Sequence, residues 1–337
     1  MPLLKKSITV IIHIQKIVRI FAAHKYYAIM TLQQLEYVLA VAEYQHFVRA
    51  AESCGVTQST LSSMLKKLEE ELDLVIFDRN SHPVRPTLEG EAVVQQARVV
   101  LYHAKQLKEM SLCEQKRTSG NIHLGVTPTI APYIVPQLFS YISSLPEVTM
   151  QAHEIDRDKI VKRLLNAELD MAIMSLPHVH DNLLEIPLYR ETFYAFVSPN
   201  DPLYQQQEIC SSTMPRERMW ALKNEICFQM QVSEFCDQES ERQSMYESGN
   251  LATLLFIVCE NDGFTVLPEL HIPKLRPENR HMLRPLVDPV PQRQVSLFVR
   301  KDYVREGLLN VIADGIKQII PQHMIDPHLA KYPIRLF

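Results

Sequence analysis

Apolar positions first fall into helical spacing at residue 32. In LQQLEYVLAVAEY, residues 32–44, Leu35, Val38, Leu39 and Ala42 recur every three or four positions and predict an amphipathic helix. A short helix is expected from Phe47 to about Cys54, with Ala50 and Ala51 small enough for close packing and Gly55 as the turn residue after it. Thr57 is a good N-cap for the next segment, QSTLSSMLKKLEEEL, Gln58–Leu72. There Leu61, Leu65, Leu68 and Leu72 are expected to anchor one face, with Ser59, Ser62, Ser63 and Lys66 opposite and the acidic stretch Glu69–Glu71 at the far end. Val75, Ile76 and Phe77 predict a strand, and Arg79–Arg85, with Pro83 and Pro86, the turn and return of a small ribbon. From Thr87 one long helix is expected, in which Val93, Ala97, Val100, Ala104 and Leu107 repeat at alternating four- and three-residue steps. That seam is expected to be a dimer interface; the alternative is a helix packed on its own chain.

Beyond the polar stretch CEQKRTSGN, residues 113–121, the pattern changes to alternating strands and helices. NIHLGV, VTMQAHEI and MAIMSL read as strands, and the segments between them as helices. The alternation resumes after about residue 195, and QVSLFVR, Gln294–Arg300, is expected to return to the first lobe. The layout is then a helical domain at 30–87, a linking helix at 88–112, and a two-lobed α/β domain at 120–320, with a tail at 321–337. The first lobe takes about 120–195 and 294–320, the second about 196–293. Residues 1–29 carry an apolar run, Ser7–Ile14, too short to span a bilayer. They are expected to be an upstream extension, disordered or from a non-native start; the alternative is a basic amphipathic surface helix.

Composition narrows this picture little. The 337 residues carry a formal net charge of −4, so support for nucleic-acid binding comes from local pattern and not from bulk charge. Six cysteines in so long a chain are no disulfide framework and fit a reducing, cytoplasmic setting. With only 8 glycines no phosphate loop is expected, and no CxxC or HExxH metal pattern or Ser-His-Asp arrangement is readable; no cofactor and no membrane association are expected. His178 and His180 read as solvated loop residues.

Two features carry chemistry. The hydroxylated, basic face of Gln58–Leu72 is slim enough to enter a DNA major groove about 12 Å wide and offer donors and acceptors to base edges. Arg79 and Arg85 would reach flanking phosphates. The second feature is EICFQMQVSEFC, where Cys227 and Cys236 are nine positions apart. A helix would separate them by about 13 Å, whereas a disulfide needs Cα atoms within roughly 7 Å. Spacing alone leaves open two buried thiols or a pair that meets when the segment folds back.

HFVRAAESCGVTQSTLSSMLKKLEEELDLVIFDRN closely resembles the DNA-binding domain of LysR-type transcriptional regulators, almost without gaps from residue 31 to about 90. The resemblance implies an N-terminal winged helix-turn-helix, a long linker helix, and a C-terminal two-lobed regulatory domain like periplasmic binding proteins. It also implies Thr57, Gln58, Ser59, Ser62, Ser63 and Lys66 as the recognition element, and assembly as a dimer or tetramer. From Met30 to about residue 315 the sequence is similar to the hydrogen-peroxide-sensing members of that family: in Cys-x8-Cys with Phe235, in Pro128–Tyr133, in PQRQVSLFVR, and in Cys54 within AAESCGVTQSTLS. Those members imply a peroxide-reactive Cys227, a resolving Cys236, and a pocket with Thr129, Arg293 and His153. They further imply RNA polymerase and a thioredoxin- or glutaredoxin-type reductant as partners. Glu225 and Ile226 stand where the family often has Gly-His, and Gln229 and Met230 where it has arginine and aspartate. Cys54, Cys113, Cys210 and Cys259 read as small hydrophobes. Thr127 reads as a cap for the helix starting near Pro132. The alternatives are a regulator of the same fold that senses a metabolite between its lobes, or a thiol peroxidase; the helix-turn-helix argues against the enzyme.

Overall fold

The computed structural model describes residues 30–110, 118–176, 179–220 and 251–336. The upstream extension at 1–29, Cys113, His178, Cys227 and Cys236 lie outside the described residues. The chain forms two compact units, one ending at Lys105 and the other beginning at Gln106.

The first unit opens with α1, Leu32–Tyr44. Thr31 and Gln34 form a reciprocal capping box that satisfies backbone donors at its start. Helices α2, Phe47–Ser53, and α3, Gln58–Leu72, are joined through Gly55, whose φ of +67° favours a residue without Cβ. Leu35, Val38, Val41, Ala50, Ala51, Leu61, Leu65 and Leu68 close over one another as the core. Leu72 departs from the expected four-leucine anchor. It remains 37 % exposed, because α3 ends at Asp73 in a left-handed conformation and its last turn projects past the core.

Strands β1, Phe77–Asp78, and β2, Arg85–Pro86, form the ribbon. Helix α4, Leu88–Met110, begins at a close junction. Thr87 Oγ1 donates to the Val75 carbonyl at 2.7 Å and accepts from the Gly90 N–H at 2.9 Å. A Cβ on Gly90 would lie 1.9 Å from the Ile76 carbonyl oxygen, so only glycine fits. The apolar seam of α4 is largely spent within its own unit. Val94 and Ala97 are buried in the helical core, and Val93 and Val100 pack partly against it, while Leu107 is 71 % exposed. Heptad spacing specifies a stripe, not what covers it.

The second unit is built on a mixed sheet. Its strands are β3 Gly120–Val126, β4 Val148–Glu154, β5 Met171–Met174, β6 Leu183–Val197, β7 Ile209–Cys210, β8 Phe264–Pro268, β9 Leu283–Val287 and β10 Gln292–Arg300. The order is β4-β3-β5-β10-β6-β9-β7, with β8 also pairing β6. β3 runs parallel to β4 and β5, as strand–helix–strand crossovers require. Helices α5, Ala131–Ser143, α6, Arg157–Leu165, α7, Leu251–Glu260, α8, Glu306–Ile319, and the short α9, Pro327–Lys331, accompany it. The fifteen-residue β6 pairs with β10 along most of its length, then from Phe193 with β8. Each end feeds a separate core. One holds Ile160, Leu164, Met174 and Phe298, the other Phe196, Leu254, Val266 and Leu286.

The final segment is no loose tail. Ile325 bridges Tyr189, the Arg190 N–H donates to Met324, and Asp326 N–H to Leu188, so residues 324–326 continue the sheet edge beside β6. Leu329 and Ile334 are buried. Among the described residues no helix is long and apolar enough to cross a membrane.

Candidate functional site

On α3, Thr57, Gln58, Ser59, Ser63 and Lys66 are exposed and Ser62 is half-buried. Thr57 caps the helix by accepting from the Thr60 N–H at 3.2 Å, and its hydroxyl also contacts Ser59 Oγ at 2.9 Å. Lys66 meets Glu70 one turn on at 3.8 Å, but both side chains stay largely in solvent. The result is a hydroxyl-rich, basic ridge with its apolar back buried.

The two ribbon arginines differ. Both are exposed, but Arg79 also reaches back onto α3. Its Nη2 lies 2.9 Å from Glu69 Oε2, its Nη1 donates to Ser62 Oγ at 3.3 Å, and its guanidinium sits 5.4 Å from the Phe47 ring centroid. Glu69 also accepts from the Ile76 N–H at 2.9 Å. So Glu69, in the acidic stretch expected at the far end of the helix, is the anchor joining ribbon to helix. Arg79 joins that anchor while its side chain stays 40 % exposed.

In the second unit the sequence-derived candidates Thr129 and Arg293 meet. Arg293 on β10 lies directly across the ladder from Glu191 on β6. Its Nε donates to Glu191 Oε1 at 2.6 Å, Nη1 to Thr129 Oγ1 at 3.1 Å, and Nη2 to the Thr129 carbonyl at 3.1 Å. Both charged side chains are fully buried. Burial would push the Arg293 pKa down, but the carboxylate of Glu191 and its hydrogen bond prevail and raise it, so the cation persists. The Phe193 ring stacks below the guanidinium, 5.5 Å from its carbon. The Thr129 loop is held by Thr127, whose carbonyl accepts from the Ile130 and Ala131 N–H groups. Thr127 does not cap α5 through its side chain as expected. The N-cap position is Ile130, and the Thr127 hydroxyl is fully buried with no hydrogen-bond partner among the described residues.

His153 stands apart from this cluster in its contacts. It is half-buried on β4, stacks with His123 at 6.4 Å, and has its pKa lowered by burial and then by Arg163 and His123. The described thiols divide. Cys54 and Cys259 pack against the apolar cores, and burial pushes the Cys259 thiol pKa up. Cys210 is instead within 3.1 Å of Ser212 Oγ and donates to the Asp288 carbonyl at 3.4 Å. Hydrogen bonds from Ser212, then Thr213, pull its pKa down.

Pattern reading missed Glu191, Tyr133, Tyr189 and His271. Tyr189 and Tyr133 are buried phenols, both raised in pKa by burial, and both feel Glu191 and Arg293. Tyr133 Oη is 2.8 Å from His271 Nδ1. A signal for Glu191 was present: Tyr189, Glu191, Phe193 and Ala195 share the inward face of a strand, and a carboxylate there needs a cation.

Comparison with known proteins agrees with this division. Residues 32–91 match the family described as bacterial regulatory helix-turn-helix protein, lysR family, and residues 115–318 match the LysR substrate binding domain. A hydrogen peroxide-inducible genes activator from Dickeya chrysanthemi is 32 % identical over 88 % of this chain and 97 % of its own length. The DNA-binding transcriptional dual regulator OxyR of Escherichia coli K12 is 30 % identical over 87 % of this chain and 97 % of its own. The solved structure of a full-length OxyR variant from Pseudomonas aeruginosa matches with a TM-score of 0.75 at 30 % identity, covering 90 % of this chain and 99 % of that one. With a helix-turn-helix unit and a LysR substrate-binding unit both matched, this chain belongs to the LysR family of DNA-binding transcriptional regulators.

Proposed function

We propose that this protein is a cytoplasmic transcriptional activator of oxidative-stress genes, switched by hydrogen peroxide through a reversible Cys227–Cys236 disulfide. The observation that carries the reading is the fully buried Arg293 clamped onto Thr129. In this proposal Cys227 comes beside Arg293: a guanidinium kept charged away from water stabilises a neighbouring thiolate, and a thiolate is the species that attacks peroxide. Similarity over nearly the whole chain to proteins named as peroxide-inducible activators supports the same reading.

The chemistry closes in two steps. The Cys227 thiolate attacks one peroxide oxygen, the O–O bond breaks, and sulfenic acid and hydroxide form. The Cys236 thiol then displaces the sulfenic oxygen as water, giving the disulfide. A thioredoxin- or glutaredoxin-type dithiol reverses it. Glu225 stands two positions before Cys227 in the sequence; an anion near the thiol would oppose thiolate formation, and a cation such as Arg293 would have to offset it. His153 serves the first lobe's half of the pocket. Output runs through Thr57, Gln58, Ser59, Ser62, Ser63, Lys66 and Arg85 on double-stranded DNA, with self-association through the later part of α4, at Ala104 and Leu107, and contact with RNA polymerase.

Peroxide added to the reduced protein is expected to yield a Cys227–Cys236 disulfide on a thiol-blocking gel with peptide mass analysis, and to shift the footprint on its own promoter. A Cys227→Ser variant that still induces target genes with peroxide overturns the proposal.

A further inference from the structure

Three consecutive residues after β8 each grip a different part of the second unit. Glu269 accepts from Thr192 Oγ1 at 2.6 Å and faces His323 Nε2 of the final segment at 3.1 Å. The Leu270 N–H donates to Glu191 Oε2 at 3.4 Å, the carboxylate whose other oxygen holds Arg293. His271 Nδ1 meets Tyr133 Oη at 2.8 Å, with the two rings edge to face at 5.7 Å. Tyr133 lies on α5, which packs with β4 and α8, whereas His271 follows β8 in the other lobe. This contact therefore ties the lobes together four residues from Thr129.

We infer that Glu269–His271 is an interlobe clasp, and that His271, acting through Tyr133, is a positioning residue for the Arg293–Thr129 site. Tyr133 is 4 % exposed, and among the described residues its hydroxyl hydrogen-bonds to His271 Nδ1. A buried phenol with one such partner donates to it, so the imidazole is the neutral tautomer with Nδ1 as acceptor. Burial favours that form: it holds the His271 pKa down to about 4 and keeps the phenol protonated. Because Leu270 and His271 are adjacent, any shift of this segment moves Glu191 and the start of α5 together. The guanidinium between Glu191 and Thr129 is thereby set by both lobes at once.

The inference rests on the peroxide reading for its consequence but not for its geometry, and two measurements on the full chain separate them. The first is amide exchange of the reduced protein. His271→Ala and Tyr133→Phe are each expected to lose protection at both 129–133 and 269–271. Loss at one side only, or none, overturns the clasp whatever the thiols do. The second is the rate of Cys227 oxidation by peroxide. His271→Ala and Tyr133→Phe are each expected to slow it by about tenfold, the scale of one buried hydrogen bond, and the double variant no further. His271→Asn, whose Oδ1 accepts near the Nδ1 position, is expected to return the rate to within about twofold of the parent. Additive losses, unchanged rates, or no rescue by asparagine overturn the positioning role. A parent protein inert to peroxide sinks the peroxide reading and with it the positioning role, while the exchange data still decide the clasp.

Discussion

The two units handle their polar chemistry in opposite ways. The α3 ridge leaves Ser59, Ser63 and Lys66 in water and buries Leu61, Leu65 and Leu68 behind them. The regulatory unit removes a guanidinium and a carboxylate from water altogether and satisfies them with Thr129, Glu191 and Phe193. An exposed site has little influence on the stability of its unit, because solvent screens every charge in it. A buried pair is part of the packing, and removing one member leaves the other with an uncompensated desolvation cost.

The largest test of that contrast is Arg293→Met. It strands Glu191 in an apolar setting and is expected to cost about 3–5 kcal/mol in urea unfolding. Replacing both partners, Arg293→Met with Glu191→Leu, is expected to recover most of it. A neutral single variant breaks the comparison at once.

Next comes Gly90→Ala at the α4 junction. The new methyl would overlap the Ile76 backbone carbonyl, which cannot rotate away. Overpacking of this kind costs about 1–3 kcal/mol, read as a lower thermal midpoint and weaker DNA binding, with thiol chemistry unaffected. An unchanged midpoint would mean the junction relaxes more freely than its hydrogen bonds suggest.

The smallest effect separates two cations within the DNA-binding unit. Lys66→Ala is expected to weaken specific and non-specific DNA binding alike and to reduce the slope of log K against log salt by about 1. Arg79→Ala is expected to leave that slope in place and lower the thermal midpoint, since Glu69 and Ser62 already hold it. Titrations over a salt series, alongside melting curves, distinguish them. Equal slopes for the two variants would return Arg79 to the phosphates.

Local pattern was enough wherever neighbours along the chain decide the outcome. Helix periodicity located α1, α2 and α3 within a residue or so of their ends, and Thr57 is the N-cap its position required. The alternation after Gly120 announced an α/β sheet, and the resemblance of the flanking segments singled out Thr129 and Arg293, which the fold brings together from 164 positions apart. Periodicity left open whether α4 would meet a partner chain or, as Val93, Val94, Ala97 and Val100 do, its own core, because a stripe is the same stripe whichever covers it.

By itself, then, the chain's order of residues determined which segments become helices and strands, which helix face is polar, and which family it joins. Those follow from backbone geometry, side-chain periodicity and contacts a few positions apart. Tertiary structure alone decided that Glu69 would capture Arg79, that Glu191 would pair with Arg293, that Tyr133 would reach His271, and that the last residues would lace the sheet beside β6. Each of these joins groups distant in sequence whose pairing depends on strand order and register, and water must be excluded before the charged ones acquire their strength.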